Sequence, residues 1–436
     1  MKGTKISRLA KMVAVIASIG VTAACSASAG STPGSSSTGT PGSAAAPSGK
    51  LEVYSWWTSG GEAAALQVLM DTYKSEYPGV ELVNGAVSGG GGANMQQVLQ
   101  TRIAGSNPPD TWMSNAGSQL ETYANSGTVM DLSSIYASEN LASVEPAGLI
   151  DGITFNGKQY AVFTGSHRHN MVWVNKPVAA KLGLTFASSG VTLAQFQEGL
   201  AKAKAAGLAG MCTGDTAIFA DVSELESVLG SYVGVDGLKA LATTATAWDN
   251  PKVLSALKDY GTILDNTNKD HAALSWDQAV GKFLNGSCLF NMMADSMQGE
   301  VVKANKTADI GFFPYPGTDN IFLNVSDGFV VNNKLQDPAA ALAWIKMITD
   351  PKVEVAFSAK KGSIPLRSDA DISSLSEYQQ ASAACLLKGC GNFFSMTFGQ
   401  SGTPAVDQAL NNAVTAWNTS RDDAAFVKTI KVGFTQ

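Results

Sequence analysis

Two adjacent tryptophans and a nearby carboxylate are the first side chains in this sequence that could bind a ligand. Trp56 and Trp57 follow a predicted strand, and Glu62 heads the helix predicted next. Ligands of parallel α/β sheets bind outside the carboxyl ends of the strands. Indole faces could stack there on a ring-shaped ligand while Glu62 accepts from its hydroxyl groups, unless Glu62 only caps its helix. Because neighbouring strand residues point to opposite faces, we expect at least one of the tryptophans to pack in the core.

His167 and His169 are spaced so that two imidazoles could chelate a metal ion. The chain has three histidines, and no cysteine or carboxylate lies near these two at the spacing of metal sites. We therefore predict no metal site. Hydrogen bonding at the hinge of a cleft suits His167, Arg168 and Asn170 better.

Asp295 and Asp327 are the carboxylates best suited to hydrolysis, which needs two of them at a defined separation. The sequence does not give that separation. It contains neither Gly-x-Ser-x-Gly nor His-Glu-x-x-His, which are typical of serine hydrolases and zinc peptidases. The alternative that the chain is an enzyme is therefore kept, although no motif in the sequence favours it.

The composition is that of a weakly charged globular chain. Of its 436 residues, 15% are charged, and the formal net charge is −6. Because the chain has no basic patch, we do not expect it to bind nucleic acid. About 385 residues follow the N-terminal segments, which is enough for two domains.

The N-terminal residues have the layout of an export signal. Basic residues within 2–11 precede the apolar stretch Met12–Val21, which is too short to span a bilayer. Small residues then lead to Cys25, as in bacterial lipoprotein signals, so we expect Cys25 to be acylated. Secretion without a lipid is the alternative. The Ser-, Gly- and Pro-rich residues that follow cannot bury enough apolar surface to fold and indicate a tether.

Four further cysteines belong to the part of the chain expected to fold. An even number of cysteines in an exported chain predicts disulfides. A Cys385–Cys390 bond would be the more local, and the sequence leaves the three possible pairings open. The candidates are Cys212, Cys288, Cys385 and Cys390.

Hydrophobic periodicity predicts alternating strands and helices. Residues 51–55 alternate as a strand, 62–77 have helical spacing, and 80–87 indicate a second strand. A similar alternation recurs beyond residue 159, after which the Pro- and Gly-rich segment 313–318 interrupts it. This order predicts an α/β fold whose sheets are flanked by helices.

Several short motifs follow one another in a fixed order. They are Trp56-Trp57 with Glu62, Pro108-Pro109-Asp110-Thr111, His167-Arg168 with Asn170, Leu274-Ser275-Trp276 with Gln278-Ala279-Val280, Phe290-Asn291 with Met293 and Asp295, Ser326-Asp327, and Lys361-Gly362-Ser363-Ile364. Together they resemble the extracellular solute-binding proteins of sugar ABC importers, in particular the glucose/mannose- and glucose/galactose-binding branch. The similarity covers Lys50–Gln436, and the ordered set is specific although each motif alone is weak.

The resemblance implies a two-lobed α/β architecture, the type II fold of periplasmic binding proteins, with chain segments exchanged between the lobes. Hinges near Thr164–Ser166 and Tyr315–Asn320 would join the lobes around a ligand cleft. The implied boundaries are a lipoprotein signal peptide at 1–24, a tether at 25–49, an N-terminal lobe at 50–164 plus 318–362, and a C-terminal lobe at 165–317 plus 363–436.

The resemblance also implies which side chains line the sugar site. We add two further positions, a histidine and an aspartate, to those that match the family pattern. The matching positions are Trp56, Trp57, Glu62, Trp276, Asp327 and Lys361, and the added ones are His167 and Asp295.

Three departures from the pattern predict an altered sugar specificity. Met113 and Asn115 replace a Gln and a His of close relatives, and Ser296 replaces a stacking indole. Phe398 stands where relatives have His, and it could partly supply the lost stacking face. Sites built to hydrogen-bond a particular hydroxyl reject analogues that lack it, so these exchanges should change the preferred sugar.

The implied protein is a monomeric receptor without a cofactor. It would be anchored through Cys25 at the extracellular face of the cytoplasmic membrane. There it would close on a mono- or small oligosaccharide and pass the sugar intact to the permease of an ABC importer. The alternatives are an exported carbohydrate-active enzyme and a binding protein for an amino acid, a peptide or a metal.

Overall fold

A computed structural model of the chain describes residues 46–89 and 92–435. The predicted signal peptide at 1–24, the acylation site Cys25 and most of the predicted tether at 25–49 lie outside these residues. Across the ranges described, each helix is either too short or too polar to cross a membrane.

Two sheets and a small hairpin make up the strands of the described residues. The strands are β1 Gly49–Tyr54, β2 Val80–Asn84, β3 Thr111–Asn115, β4 Thr154–Phe155, β5 Lys158–Gln159, β6 Val162–Arg168, β7 Met171–Asn175, β8 Ala209–Met211, β9 Cys288–Met292, β10 Ile310–Pro314, β11 Ile321–Val331 and β12 Gly391–Phe394. The larger sheet has the order β12-β11-β3-β1-β2, with β6 also paired to β11, and the smaller has the order β10-β7-β9-β8. Strands β2, β1 and β3 are parallel, whereas β11 runs antiparallel to β3 and β6.

Helices flank both sheets. They are α1 Gly60–Glu76, α2 Ala93–Ala104, α3 Ser118–Asn125, α4 Ser133–Ser138, α5 Leu141–Val144, α6 Ala147–Ile150, α7 Lys176–Lys181, α8 Leu193–Ala205, α9 Phe219–Thr243, α10 Pro251–Leu264, α11 Trp276–Leu284, α12 Ser296–Lys303, α13 Ala339–Ile348, α14 Pro351–Lys361, α15 Glu377–Lys388, α16 Pro404–Ser420 and α17 Asp423–Val432.

Buried apolar side chains form two clusters. The first fills the larger sheet and its helices and reaches Trp173 on one face of β7. The second contains Val172 and Val174 on the opposite face of β7, together with helices such as α8, α9 and α16. Because β7 side chains alternate in direction, this one strand contributes to both cores. Strand β7 of the smaller sheet is thus packed on both faces, with one cluster on each side.

The chain passes between the sheets at two neighbouring connections. His169 and Asn170 link β6 to β7, and residues 315–320 link β10 to β11. The side chain of Asn170 joins these connections, since it donates to Thr318 Oγ1 at 2.9 Å and accepts from Leu323 N at 3.0 Å. The two crossings are therefore held side by side.

The predicted hinges and lobe boundaries stay predictions, but their residues can be located. Tyr315–Asn320 is the second crossing, whereas Thr164–Ser166 lies within β6, before the first crossing. The predicted boundary at residue 363 assigned β12 to the C-terminal lobe, yet β12 pairs with β11 in the larger sheet. Strand β12 can pair within the larger sheet and still contribute to the second cluster because β11, with 11 residues, is long enough to extend into both clusters. Leu323 of β11 and Phe393 of β12 belong to the second cluster.

The cysteine pairing that the sequence left open is Cys212–Cys288 and Cys385–Cys390. Cys212 directly follows β8 and Cys288 begins β9, which pairs with β8 in parallel. The two Cα atoms are 5.6 Å apart, so the sheet brings together cysteines that are 76 residues apart in sequence. Such a long closed loop restricts the unfolded chain more than the local Cys385–Cys390 loop does.

Candidate functional site

A cavity of about 60 Å³, here called the central chamber, lies where strands of both sheets end. Trp56 follows β1, Asn115 ends β3, and Met293 follows β9, and all three line the chamber. This is the position at which ligands bind in open α/β sheets.

Most of the predicted binding residues come together at this chamber. Those that line it are Trp56, Glu62, Asn115, His167, Trp276, Asp327, Lys361 and Phe398. The lining residues that were not predicted to bind are His169, Phe219, Met293, Ala294, Ser296 and Val325.

Trp57 and Met113, which were predicted to bind ligand, lie in the core instead. Trp57 is 1% exposed, and its ring packs against Phe329 and Phe357, with centroids 5.9 and 5.1 Å away. The alternation along the chain explains why Trp56 faces the chamber and Trp57 does not. Met113 points to the same side of β3 as Asn115 but lies two residues before the strand end, and it has no exposed surface.

A line of charged side chains of alternating sign forms the floor of the chamber. We call Glu62, Lys361, Asp327, His167 and Asp295 the charged network. Lys361 Nζ lies 2.6 Å from Glu62 Oε1 and 3.7 Å from Asp327 Oδ2. His167 Nε2 lies 2.9 Å from Asp327 Oδ2, and its Nδ1 contacts Asp295 Oδ1.

The contacts of His167 define its charge. Both ring nitrogens face carboxylate oxygens, and only the doubly protonated imidazolium can donate from both. Burial alone disfavours that cation, but the carboxylates of Asp295 and Asp327 outweigh it and raise the pKa of His167 to about 9. Asp327 is buried too, yet His167 and Lys361 hold its pKa below the ordinary value. Both groups are therefore charged at neutral pH.

Asp295 supports His167 and does not itself reach the chamber. It has no exposed surface and is absent from the lining residues. Its second oxygen accepts from Arg168 N at 3.4 Å. Both of the carboxylates considered for hydrolysis are thus bonded to one histidine, and only Asp327 faces the cavity. This is not the arrangement of two carboxylates on either side of a scissile bond.

Lys361 is held in place by the surrounding charges and by Trp57. It ends α14 and is 2% exposed. Burial disfavours its charge, but Glu62 and Asp327 more than compensate and raise its pKa. Its Nζ also lies 5.4 Å from the centroid of the Trp57 ring, at which distance a cation is attracted to the aromatic face. Trp57 therefore supports the floor from within the core.

The second histidine of the predicted chelating pair is neutral. Burial, together with the positive charge of His167, lowers the pKa of His169 to about 3. Its Nδ1 lies 2.8 Å from Ser223 Oγ. Across the part of the chain that the structure describes, no group of three or more His, Cys, Asp or Glu residues is arranged to hold a metal ion.

Four half-buried aromatic residues form the other lining of the chamber, and we call them the aromatic wall. Trp56 follows β1, and Trp276 is the first residue of α11, between the capping-box partners Ser275 and Gln278. Phe219 and Phe398 complete the wall, with ring centroids 5.3 Å apart. Phe219 begins α9, the helix that follows the three-residue strand β8, and it was not predicted from the sequence.

Phe398 adopts a backbone conformation that its surroundings must enforce. Its φ is 61° and its ψ is 21°, the left-handed region that non-glycine residues seldom occupy. Glu226 of α9 anchors the preceding residues, since it accepts from Met396 N at 2.7 Å and from Ser395 Oγ. Strain of this kind collects at functional sites, where the surroundings hold a side chain in place.

Comparison with known proteins is consistent with this geometry. The family model described as bacterial extracellular solute-binding protein matches residues 57–355. An uncharacterized ABC transporter extracellular-binding protein of Pyrococcus horikoshii is 30% identical over 324 residues, which are 74% of this chain and 72% of that protein. A probable sugar-binding periplasmic protein of Mesorhizobium japonicum is 30% identical over 375 residues, 84% of this chain and 88% of that protein.

Solved structures share the fold at low sequence identity. A chitin oligosaccharide binding protein has a TM-score of 0.77 at 18% identity and covers 88% of this chain and 98% of its own. The bacterial solute receptor AcbH, described as preferring β-D-galactopyranose, has a TM-score of 0.78 at 15% identity, with coverages of 89% and 98%. The predicted two-lobed α/β fold is thereby confirmed. Because the family model spans more than half of the sequence, this chain belongs to the bacterial extracellular solute-binding proteins, a family of receptors rather than enzymes.

Proposed function

We propose that this chain is the sugar receptor of an ABC import system and that it binds a mono- or small oligosaccharide in the central chamber. The observation that carries the proposal is that the aromatic wall and four of the five side chains of the charged network line one cavity. Aromatic faces match the apolar side of a sugar ring, and fixed carboxylates accept from its hydroxyl groups. Relatives described as sugar-binding proteins support the same ligand class.

The pairing of charges favours a neutral ligand. Lys361 and His167 already contact carboxylates, so an anionic ligand would have to displace a carboxylate from one of them. Asp327 and Glu62 keep lone pairs that can accept from hydroxyl groups. Each hydrogen bond to such a charged group contributes about 1.5–3 kcal/mol net.

Closure of the two lobes is the proposed mechanism of capture. Trp56 follows β1 of the larger sheet, and Glu62 and Lys361 lie on α1 and α14, which pack against β2 and β6 of that sheet. Trp276 opens α11, which packs against β9 of the smaller sheet. A ligand that contacts both sets gains most of its contacts only when the lobes are closed, so binding favours the closed state. The permease would then accept the sugar from that state.

A lipid at Cys25 would hold the receptor, as a monomer, at the extracellular face of the cytoplasmic membrane. The lipoprotein-like signal and the Ser-, Gly- and Pro-rich tether support this proposal. Metabolic labelling with palmitate in a bacterial host tests it. Label and membrane association should be present in the wild type and absent from Cys25→Ala. Equal labelling of both forms would contradict acylation at this residue.

A thermal-shift screen tests the ligand class. Mono- and oligosaccharides are compared with amino acids and Zn²⁺, because a ligand at 100 times its Kd adds about 2.7 kcal/mol of stability. We expect shifts with sugars only, and recovery of the bound sugar unchanged by chromatography. A shift with amino acids or Zn²⁺ alone, or the appearance of cleaved sugar, would overturn the proposal.

A further inference from the structure

A second cavity of about 390 Å³, here called the side chamber, adjoins the central chamber. The two share Trp56, Asn115, Phe219 and Phe398, so most of the aromatic wall lies between them. The side chamber is several times larger than the central chamber. A guest in the central chamber can therefore extend past these aromatic residues.

Three helices line the side chamber with polar side chains. Gln96 and Gln100 of α2 are four residues apart and thus share one helical face. Thr122 and Tyr123 of α3 lie beside them, and Asn411 of α16 comes from the other side of the cleft. Amides and hydroxyls that both donate and accept are suited to a polyhydroxylated ligand.

Part of this polar surface is already ordered. Gln100 Nε2 donates to Tyr123 OH at 2.9 Å, and Tyr123 OH donates to Gln96 Oε1 at 3.1 Å. These bonds use one atom of each amide, so Gln96 Nε2 and Gln100 Oε1 remain as a donor and an acceptor. Side chains fixed before binding lose less conformational entropy when a ligand arrives.

Two buried acceptors in the lining lack a partner among the described residues. They are Asn115 Oδ1, at the junction of the chambers, and Asp407 Oδ1 in the side chamber. Asn115 is only 4% exposed. A buried acceptor without a hydrogen bond is costly, so each of these positions favours a ligand that brings hydroxyl donors. The lining contains no Lys, Arg or His, which makes an anionic group unsuitable.

We infer that the side chamber binds a second sugar unit, so that the ligand is an oligosaccharide of at least two units reaching from the central chamber past Phe219 and Phe398. This inference rests on the proposed sugar-receptor function and adds the length of its ligand. The first unit contacts the charged network. The next unit hydrogen-bonds to Gln96, Gln100 and Asn411.

Calorimetric titration of monosaccharides against their own di- and trisaccharides tests the inference. The panel contains glucose with maltose, maltotriose and cellobiose, galactose with its β-1,4 disaccharide, and xylose with xylobiose and xylotriose. For the sugar that binds, we expect the disaccharide Kd to be at least about tenfold lower than the monosaccharide Kd, because a second set of hydrogen bonds forms.

The double variant Gln96→Ala/Asn411→Ala should abolish this gain and leave the monosaccharide Kd within about twofold. Thr58→Ala/Ser88→Ala is the matched control, since both residues line a different cavity that also touches Trp56. It should keep the full gain. If the first variant does not fold, the single exchange Gln100→Ala at an exposed position gives the same test.

Each outcome separates the two proposals. Binding of a monosaccharide as tightly as its oligomers, or equal weakening of both by the double variant, overturns the side-chamber inference and leaves the sugar receptor intact. A flat titration with every saccharide overturns the sugar-receptor function, and the inference with it.

Discussion

Each side chain of the charged network contacts another member of the network, whereas all four members of the aromatic wall keep part of their surface open. The network is therefore complete without a ligand, and folding alone fixes it. The wall still has apolar area to cover, and only a ligand or further closure can cover it. From this difference we expect changes in the network to alter stability and changes in the wall to alter affinity.

The largest expected effect follows from breaking the network. Asp295→Ala leaves the buried His167 cation without one of its partners, and breaking a buried ion pair costs about 3–5 kcal/mol. Chemical denaturation followed by tryptophan fluorescence measures the change in the free energy of unfolding. Asp309→Ala is the control, because its contact with Lys306 at 3.9 Å is partly exposed and should be worth less than about 1 kcal/mol. Equal stabilities of the two variants would contradict the comparison.

The charge of His167 predicts how the network responds to pH. Its pKa of about 9 in the folded state lies above the ordinary value of 6.5. The stabilisation it provides, about 3 kcal/mol, is fully present below pH 6.5 and is lost as the pH rises through 9. Burial raises the pKa of Glu145 and Glu224 to about 8, so these groups also bind protons in that range.

Nuclear magnetic resonance of the imidazole rings distinguishes His167 from these carboxyl groups. The chain has three histidines, so each ring can be assigned. We expect one ring to stay charged up to about pH 9, and its signal to be missing from His167→Gln. The ring of His169 should remain neutral above pH 4, because its pKa is about 3. Titration of His167 near 6.5 would refute the double carboxylate contact.

Removing part of the aromatic wall should lower the affinity for sugar and leave the stability of the fold nearly unchanged. Trp276→Ala is expected to raise the Kd of the bound sugar about 100-fold, equivalent to about 2.7 kcal/mol, with the melting temperature nearly unchanged. Trp57→Phe, in the core, should instead lower stability by about 1 kcal/mol and change the Kd less than about twofold. Calorimetric titration and thermal unfolding of both variants provide the test. An unchanged Kd in Trp276→Ala would remove the wall from the site.

Of the variants considered, Phe398→Gly should change stability least, and the change should be a small stabilisation. Phe398→Gly relieves the left-handed backbone at φ 61°, which is worth about 1 kcal/mol at most, partly offset by the greater freedom of glycine in the unfolded chain. The same exchange removes a stacking face and should raise the sugar Kd. A variant that binds as well as the wild type would show that the strain serves no binding role. Phe398→Ala, which loses the ring but keeps the strain, is the matched control.

A strand-end position and the resemblance to a family together predicted much of the lining of the site. Trp56, Asn115 and Trp276 were identified from motifs and strand positions, and they do line the central chamber. Alternation also required one tryptophan of the pair to be buried, but it could not tell which one. Phe219 was missed because β8, the strand before it, has only three residues, too few for a periodic signal.

The sequence by itself determined the family and the alternation of strands and helices, because these depend on local pattern and residue identity. Only the tertiary structure decided which charges meet. Glu62 and Lys361 are 299 residues apart, and His167 and Asp295 are 128 apart. Contacts at such separations arise from the order of strands in two sheets and from the crossings between them, which local propensity does not encode. The state of His167 follows from those contacts, because burial alone would have left it neutral.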